Sequence, residues 1–426
     1  MMRIIATLTL LIASPLTAHF AFAQDQRNEE PTLAEEIAGV AEEYRYRLQF
    51  DGQTFSGPGW DRLLQEGLAA QFFLIGEEHG IAENPKLVAQ LFTALKNTGF
   101  SKLAIEISPP MAKTLDTAIL NGGIEGLRSL FGQPGGEPAF FGMAEEAEML
   151  ATVRAAVARD TQAFWGLDYE VAGDRTLLRI LESKSKPDAA RKALSSLQAA
   201  SDQAWAQYRD TGGPQFIFSF SGDPELVRAV TTAWPDRDEE SDWILHTLEE
   251  TLEINRLWIN GQGWESNRRR AALIRSNFLR YWKQAQHERP APKIMAKFGS
   301  NHMVRGRNMT QTFDLGSLLP ELAEFEGGRS FAVMVVPGND SLTAVLNPST
   351  WTFVPDKPKD GYNKKIEPIT QAAFADDFTL IDMAPLRGVL ASSAKLANPE
   401  LLKVVYGFDM LLVMTGSTAA AEFQHD

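Results

Sequence analysis

The chain has 426 residues, 44% hydrophobic and 23% charged, a globular composition that excludes a disordered or collagen-like protein. Lys+Arg of 41 against Asp+Glu of 55 leaves a net charge of −14, which repels phosphate backbones and argues against nucleic acid as a partner. With no cysteine, thiolate metal sites, disulfides and cysteine nucleophiles are excluded, and any metal must take His, Asp, Glu or water.

Arg3 followed by the apolar run Ile4 to Leu16 and the small-x-small triplet Ala21-Phe22-Ala23 reads as a signal peptide over 1–23, cleaved near Ala23. The expectation is an exported protein, periplasmic or secreted. No later stretch reaches the roughly 18 uninterrupted apolar residues of a span, so none is expected in the mature chain. Residues 24–70 read as a polar, acidic lead-in holding one helix over Leu33–Tyr44.

The domain is expected over 71–426. The apolar run Gln71 to Gly76 stops at a glycine, as a buried strand does. Pro85 opens a helix with Leu87, Leu91 and Leu95 on one face, and Gly99 closes it. Lys102 to Ile107 reads as the next strand, and Pro109-Pro110 starts another helix. Strand, helix and strand joined by short connections point to a βαβ unit and a parallel sheet. Glu145 to Arg159 is helical, and Ala163 to Asp168 is a third strand. From about 172 to 290 the pattern turns helical, with long periodic stretches at Asp188–Tyr208, Glu239–Trp258 and Trp264–Gln286. Such a stretch between strands reads as a helical insertion over the sheet's carboxyl edge. Lys293–Phe298, Phe331–Val336, Phe378–Met383 and Phe408–Met414 complete the strands. The fold class is therefore α/β, a mostly parallel central sheet flanked by helices.

Chemistry concentrates where the strands end, because loops leaving the carboxyl edge of an open α/β sheet converge on one crevice. Gly76-Glu77-Glu78-His79-Gly80 places Glu77 and His79 two residues apart, able to face the same way on an extended backbone. A carboxylate beside an imidazole fixes its tautomer and suits a general base; the same pair could also hold a divalent metal. Glu106 interrupts the apolar Leu103-Ala104-Ile105-Glu106-Ile107, and a carboxylate there needs a partner or an edge position. Asp168 and Glu170 end the third strand in the same way. Gly299-Ser300-Asn301-His302 repeats the Gly-x-x-His spacing of Gly76–His79 at another strand end, and Arg305 follows as an anion partner. Of the helical run Arg268-Arg269-Arg270, one arginine, taken as Arg270, can point into the crevice. His19, His246, His287 and His425 carry no such context. A nucleophile elbow, a P-loop and a His-Glu-x-x-His zinc motif are all absent.

In this light the chain resembles the erythromycin esterase-like and ChaN-like superfamily, to which the Tiki/TraB proteins are related. The matching pieces are Phe73 to Gly80, Leu103 to Glu106, Phe164 to Asp168, Arg270 to Asn277, Lys293 to His302 and Tyr406 to Val413, in the family's order. The resemblance implies an ester or amide (peptide) hydrolase in which His79 activates water, Glu106 partners it or positions the water, and His302 is a second imidazole. Glu77 joins them as a catalytic residue, with Asp168, Arg270 and Arg305 contacting a small-molecule or peptide substrate. The Tiki-type arrangement implies His79, Glu106 and His302 around a divalent metal such as Zn, Mn or Fe. ChaN-like relatives bind haem, so the alternative is a haem- or iron-binding exported protein without catalysis. The chain departs from the esterases in spacing Glu77 and His79 one residue closer, in lacking an arginine in the helix after them, and in having Gly299 where a paired histidine stands. These departures argue against a macrolide substrate.

Overall fold

The structure, a computed structural model, describes residues 31–288, 290–358, 363–393 and 398–424. The signal segment expected over 1–23 lies outside the described residues. Helix α1 (Leu33–Glu43) is followed by β1 (Arg45–Phe50), β2 (Phe55–Ser56), α2 (Pro58–Ala69) and β3 (Phe72–Glu77). Then come α3 (Glu83–Leu95), β4 (Phe100–Ile105), α4 (Pro109–Phe131), α5 (Ala144–Ala156) and β5 (Phe164–Gly166). Six helices follow before the next strand: α6 (Asp174–Ser183), α7 (Asp188–Thr211), α8 (Phe218–Ser221), α9 (Pro224–Ala233), α10 (Glu239–Ile259) and α11 (Gly263–Ala285). The chain returns through β6 (Lys293–Gly299), α12 (Ser300–Met303), α13 (Leu315–Phe325) and β7 (Ser330–Pro337). It ends with β8 (Thr343–Asn347), β9 (Thr352–Asp356), β10 (Phe378–Asp382) and β11 (Met410–Met414), with further short helices among them.

Among the described residues, nine strands form one sheet in the order β2-β1-β10-β11-β7-β3-β6-β4-β5. The run from β11 to β5 is parallel, and β10, β1 and β2 add an antiparallel edge. A mostly parallel sheet covered on both faces must be apolar on both faces. Accordingly, Phe73, Ile75 and Met295 pack into one core with α3, α4 and α5. Their neighbours Phe72, Leu74, Ile294 and Ala296 pack into the other with α1, α11 and α13. Helices α6, α7, α9 and α10 bury a third core of their own, including Leu194, Trp205, Val227 and Leu248. Within 172–290, then, α6–α10 form a separate layer, while α11 belongs to the sheet's flank.

Two regions differ from the sequence expectation. Residues 24–70 read as a lead-in, yet β1 pairs with β10 inside the sheet, Leu48 opposite Phe378. Arg45 and Arg47 in β1 give it the polar alternation of an edge rather than an apolar run, so no buried strand is visible there. The β8–β9 hairpin was also unforeseen, being a two-stranded ribbon outside the main sheet. Its seat is Gly80, whose carbonyl accepts from Ala344 N–H at 2.8 Å. Gly80 has φ +86°, and a Cβ there would sit 2.1 Å from the Ala344 carbonyl oxygen, so only glycine fits. Across the hairpin turn, Tyr208 donates to the Pro348 carbonyl (2.8 Å) and Trp351 meets Trp205 edge-on. The hairpin thereby bridges the sheet to the helical layer.

Candidate active site at the carboxyl edge of the sheet

Adjacent strands β3, β6, β4 and β5 run parallel, so the residues following each of them meet at one edge. His79 comes from β3, Glu106 from β4, Asp168 from β5 and His302 from α12 just after β6. Helix α11 supplies Arg270, one turn before Ile274 and two before Phe278 on its buried face. Asn277 fixes that helix by donating to the Leu167 carbonyl at 2.8 Å. Of the three consecutive arginines, Arg268 pairs with Glu265 and Arg269 with Glu250 outside the crevice.

Glu106 is the hub. One oxygen accepts from Gly299 N–H (2.7 Å) and the other from Arg270 Nη2 (2.8 Å). His79 Nε2 lies 3.6 Å from Glu106 and His302 Nε2 lies 3.4 Å from its other oxygen. Each imidazole is held from behind by a carboxylate: His79 Nδ1 by Glu77 at 2.9 Å, His302 Nδ1 by Asp314 at 2.7 Å. Asp168 grips Arg270 through Nε (3.0 Å) and Nη2. Arg270 Nη1 makes no hydrogen bond among the described residues. Gly299 leaves room for the imidazole, since a Cβ there would stand 3.1 Å from His79 Nε2 and press it out of place.

Electrostatics separate the two histidines. Burial pushes the His302 imidazole down, but Glu106 and Asp314 outweigh it and raise it to about 10. It is thus a buried cation that holds Glu106. Burial likewise pushes His79 down, while Glu77 and Glu106 lift it above the ordinary 6.5. His79 is half-exposed and can lose its proton to solvent. Burial would raise Glu106, yet His302, His79 and Arg270 drive it well below the usual carboxylate range. Glu77 is also fully buried, and Lys297 with His79 holds it ionised despite that.

Behind Glu77 stands a pair absent from the sequence expectation. By the two-residue alternation of β6, Lys297 faces the same side as Met295, toward α5. Its Nζ donates to Glu77 and to Glu146 of α5, both at 2.7 Å. Burial lifts the Glu146 carboxyl to about 7, with Lys297 opposing and Glu77 adding to the rise. Asp314, the cap of α13, and Phe140 were also missed. Phe140 stacks on the His79 ring with centroids 4.6 Å apart, in a left-handed backbone conformation of φ +66° that is costly for a bulky side chain.

A cavity of about 430 Å³ opens over the hub. His79, Glu106, Asp168 and Arg270 form its floor; Ile217 and Phe220 from the helical layer and Leu346 and Trp351 from the hairpin form its walls. Arg305 is not among the residues lining this cavity and pairs with Asp409 at 3.4 Å. His302 sits behind Glu106 rather than on the cavity surface.

The trio His79, Glu106 and His302 does not fit a divalent metal. Each Glu106 oxygen already accepts a hydrogen bond, and the cation beside it, at 2.8 Å, is the Arg270 guanidinium. Among the described residues, no group of three or more His, Asp or Glu is arranged to hold a metal.

An α/β protein with a carboxylate hub, two carboxylate-backed histidines and an arginine at one sheet edge is the class these features define. Among solved structures, the chain is similar to a succinoglycan biosynthesis protein (TM-score 0.60, 14% identity, 93% of this chain and 100% of that one). It is also similar to a Bacillus cereus protein (TM-score 0.56, 15% identity, 92% and 100%). A mutant of the erythromycin esterase EreC in its open conformation matches with TM-score 0.55 and 15% identity, over 89% and 98%. The fold is thus erythromycin esterase-like. No family model matches the chain, and no curated protein does.

Proposed function

We propose that this chain is an exported hydrolase that cleaves an ester or amide with water activated by His79. The observation that carries the reading is the His79 geometry: Nδ1 bound to a buried, ionised Glu77 at 2.9 Å, and the ring lining the cavity. A carboxylate on Nδ1 fixes the proton there and leaves Nε2 with the lone pair a base needs. In the proposed step Nε2 takes a proton from water as the water oxygen attacks the carbonyl carbon. Glu77 and Glu106 then stabilise the imidazolium. Arg270 Nη1, uncommitted among the described residues, donates to the oxygen on which charge develops, and Asp168 aims the guanidinium. Collapse expels the alcohol or amine, which receives the proton from His79. Export rests on the sequence of residues 1–23, and no helix among the described residues is long and apolar enough to cross a membrane.

The test is turnover of a panel of aryl and alkyl esters and anilides by wild type and His79→Ala. A loss of about 10²–10⁴-fold is expected for a positioned base. Equal rates in the two proteins would end the proposal.

A further inference from the structure

The composition of the cavity points to the kind of molecule it accepts, an inference that rests on the hydrolase reading for the bond cleaved but not for the ligand bound. Most side chains on its walls are apolar: Ala139, Phe140 and Val171 beside the floor, Ile217 and Phe220 from the helical layer, Leu346 and Trp351 from the hairpin; Tyr169 adds a phenol whose ring lies 4.8 Å from the Arg270 guanidinium. At about 430 Å³ the volume sits at the small end of ligand pockets, which run from roughly 300 to 1,000 Å³. The charges lie on the floor and are committed to one another. Arg270 is gripped by Asp168 and Glu106, and Glu106 is held in turn by His302, so the charges of the floor are already paired with one another. Glu170, the remaining acid in the lining, accepts from the Ser108 hydroxyl (2.6 Å) and Gly173 N–H (3.0 Å), so each of its oxygens is already engaged within the protein. Among the described residues, no lysine lines the cavity.

Desolvating an ionised group costs several kcal/mol unless a partner waits for it. An anionic ligand would meet Glu106 and Asp168 without an uncompensated cation, and a cationic one would meet Arg270 with no uncompensated acid. A neutral ligand escapes both penalties, can accept one hydrogen bond from Arg270 Nη1, and buries its remainder against the aromatic and aliphatic walls. We propose that the site selects an uncharged ester or amide whose larger part is a compact apolar group.

Calorimetry with octanol, octanoate and octylammonium at about pH 8 tests this, because the three share a chain and differ in head-group charge, and none can be hydrolysed. Wild type is expected to bind octanol at least about tenfold tighter than either ion. Leu346→Asp on the hairpin and Phe220→Ala on the helical layer, both half-buried positions, are each expected to weaken octanol about tenfold while circular dichroism stays unchanged. Equal or tighter binding of an ion, no measurable binding of octanol, or indifference of octanol to both wall variants would overturn the inference. The hydrolase reading is scored separately with nitrophenyl butyrate and nitrophenyl hemisuccinate. Selective octanol binding with neither ester hydrolysed by wild type sinks catalysis and keeps the ligand class. Hydrolysis of both esters at equal efficiency does the reverse.

Discussion

Replacing Lys297 by methionine is expected to damage stability more than any other single change at the site. Lys297 is 3% exposed and is the shared cation between Glu77 and Glu146, each 2.7 Å away and each 3% exposed. One oxygen of each carboxylate already lacks a hydrogen-bond partner, so neither has a spare interaction to fall back on. Glu77 would keep His79, whereas Glu146 would keep no hydrogen-bond partner among the described residues. Breaking a buried pair by removing one member costs about 3–5 kcal/mol, and the Lys297→Met variant should lose that much in urea unfolding followed by tryptophan fluorescence at pH 7. Replacing a whole buried pair with apolar groups is close to neutral, so Lys297→Met/Glu146→Leu should recover at least half of the loss. The deficit should also shrink at pH 5. Glu146 titrates near 7 even beside Lys297 and is neutral at pH 5, so one of the two stranded charges is no longer there. A loss under about 1 kcal/mol for Lys297→Met, or a double variant no better than the single, would refute the reasoning.

Other consequences follow from the same geometry. Gly299→Ala puts a methyl 3.1 Å from His79 Nε2 and should lower kcat/KM about 10-fold or more with little change in melting temperature, read by steady-state kinetics beside calorimetry. His302 has a folded pKa of about 10 against 6.5 when unfolded, so its contribution is complete below 6.5 and fades as pH rises toward 10. The urea midpoint should therefore fall between pH 7 and 9.5, and His302→Asn should flatten that slope. Because the Arg270 guanidinium occupies the cation position beside Glu106, prolonged dialysis against a chelator should leave turnover within about twofold of the untreated enzyme.

Much of this centre was legible in the chain. The two Gly-x-x-His segments and Glu106 stand at the ends of apolar strands, and a parallel sheet brings such ends together whatever the strand order. Arg270 was harder to separate from Arg268 and Arg269, because which of three consecutive residues faces inward depends on where Ile274 and Phe278 pack. Lys297 carried a visible signal, a lysine inside the buried run Lys293 to Gly299, and went unused. Glu146 carried none, being one of three glutamates in the first turns of α5, with Glu145 and Glu148 beside it. Arg305 neighbours the His302 segment in sequence, whereas its partner Asp409, about 100 residues away, could not be read from the chain. The hairpin, Asp314 and Phe140 belong to loops and caps whose positions are set by tertiary contacts, such as the Gly80 seat, rather than by periodicity. Strand β1 was hidden because it lies in the antiparallel margin of the sheet, where a strand carrying Arg45 and Arg47 does not need an apolar run.

The central claim is that His79 is the base and Glu77 tunes it. The most direct measurement is the pH dependence of kcat/KM for wild type and Glu77→Gln on a neutral ester. Glu77 holds His79 above 6.5, and the base works only when deprotonated, so wild type should gain activity as pH rises through a value above 6.5. In Glu77→Gln that limb should move to lower pH and the plateau should fall. Superimposable profiles for the two proteins, or activity that declines through the same range, would contradict the account.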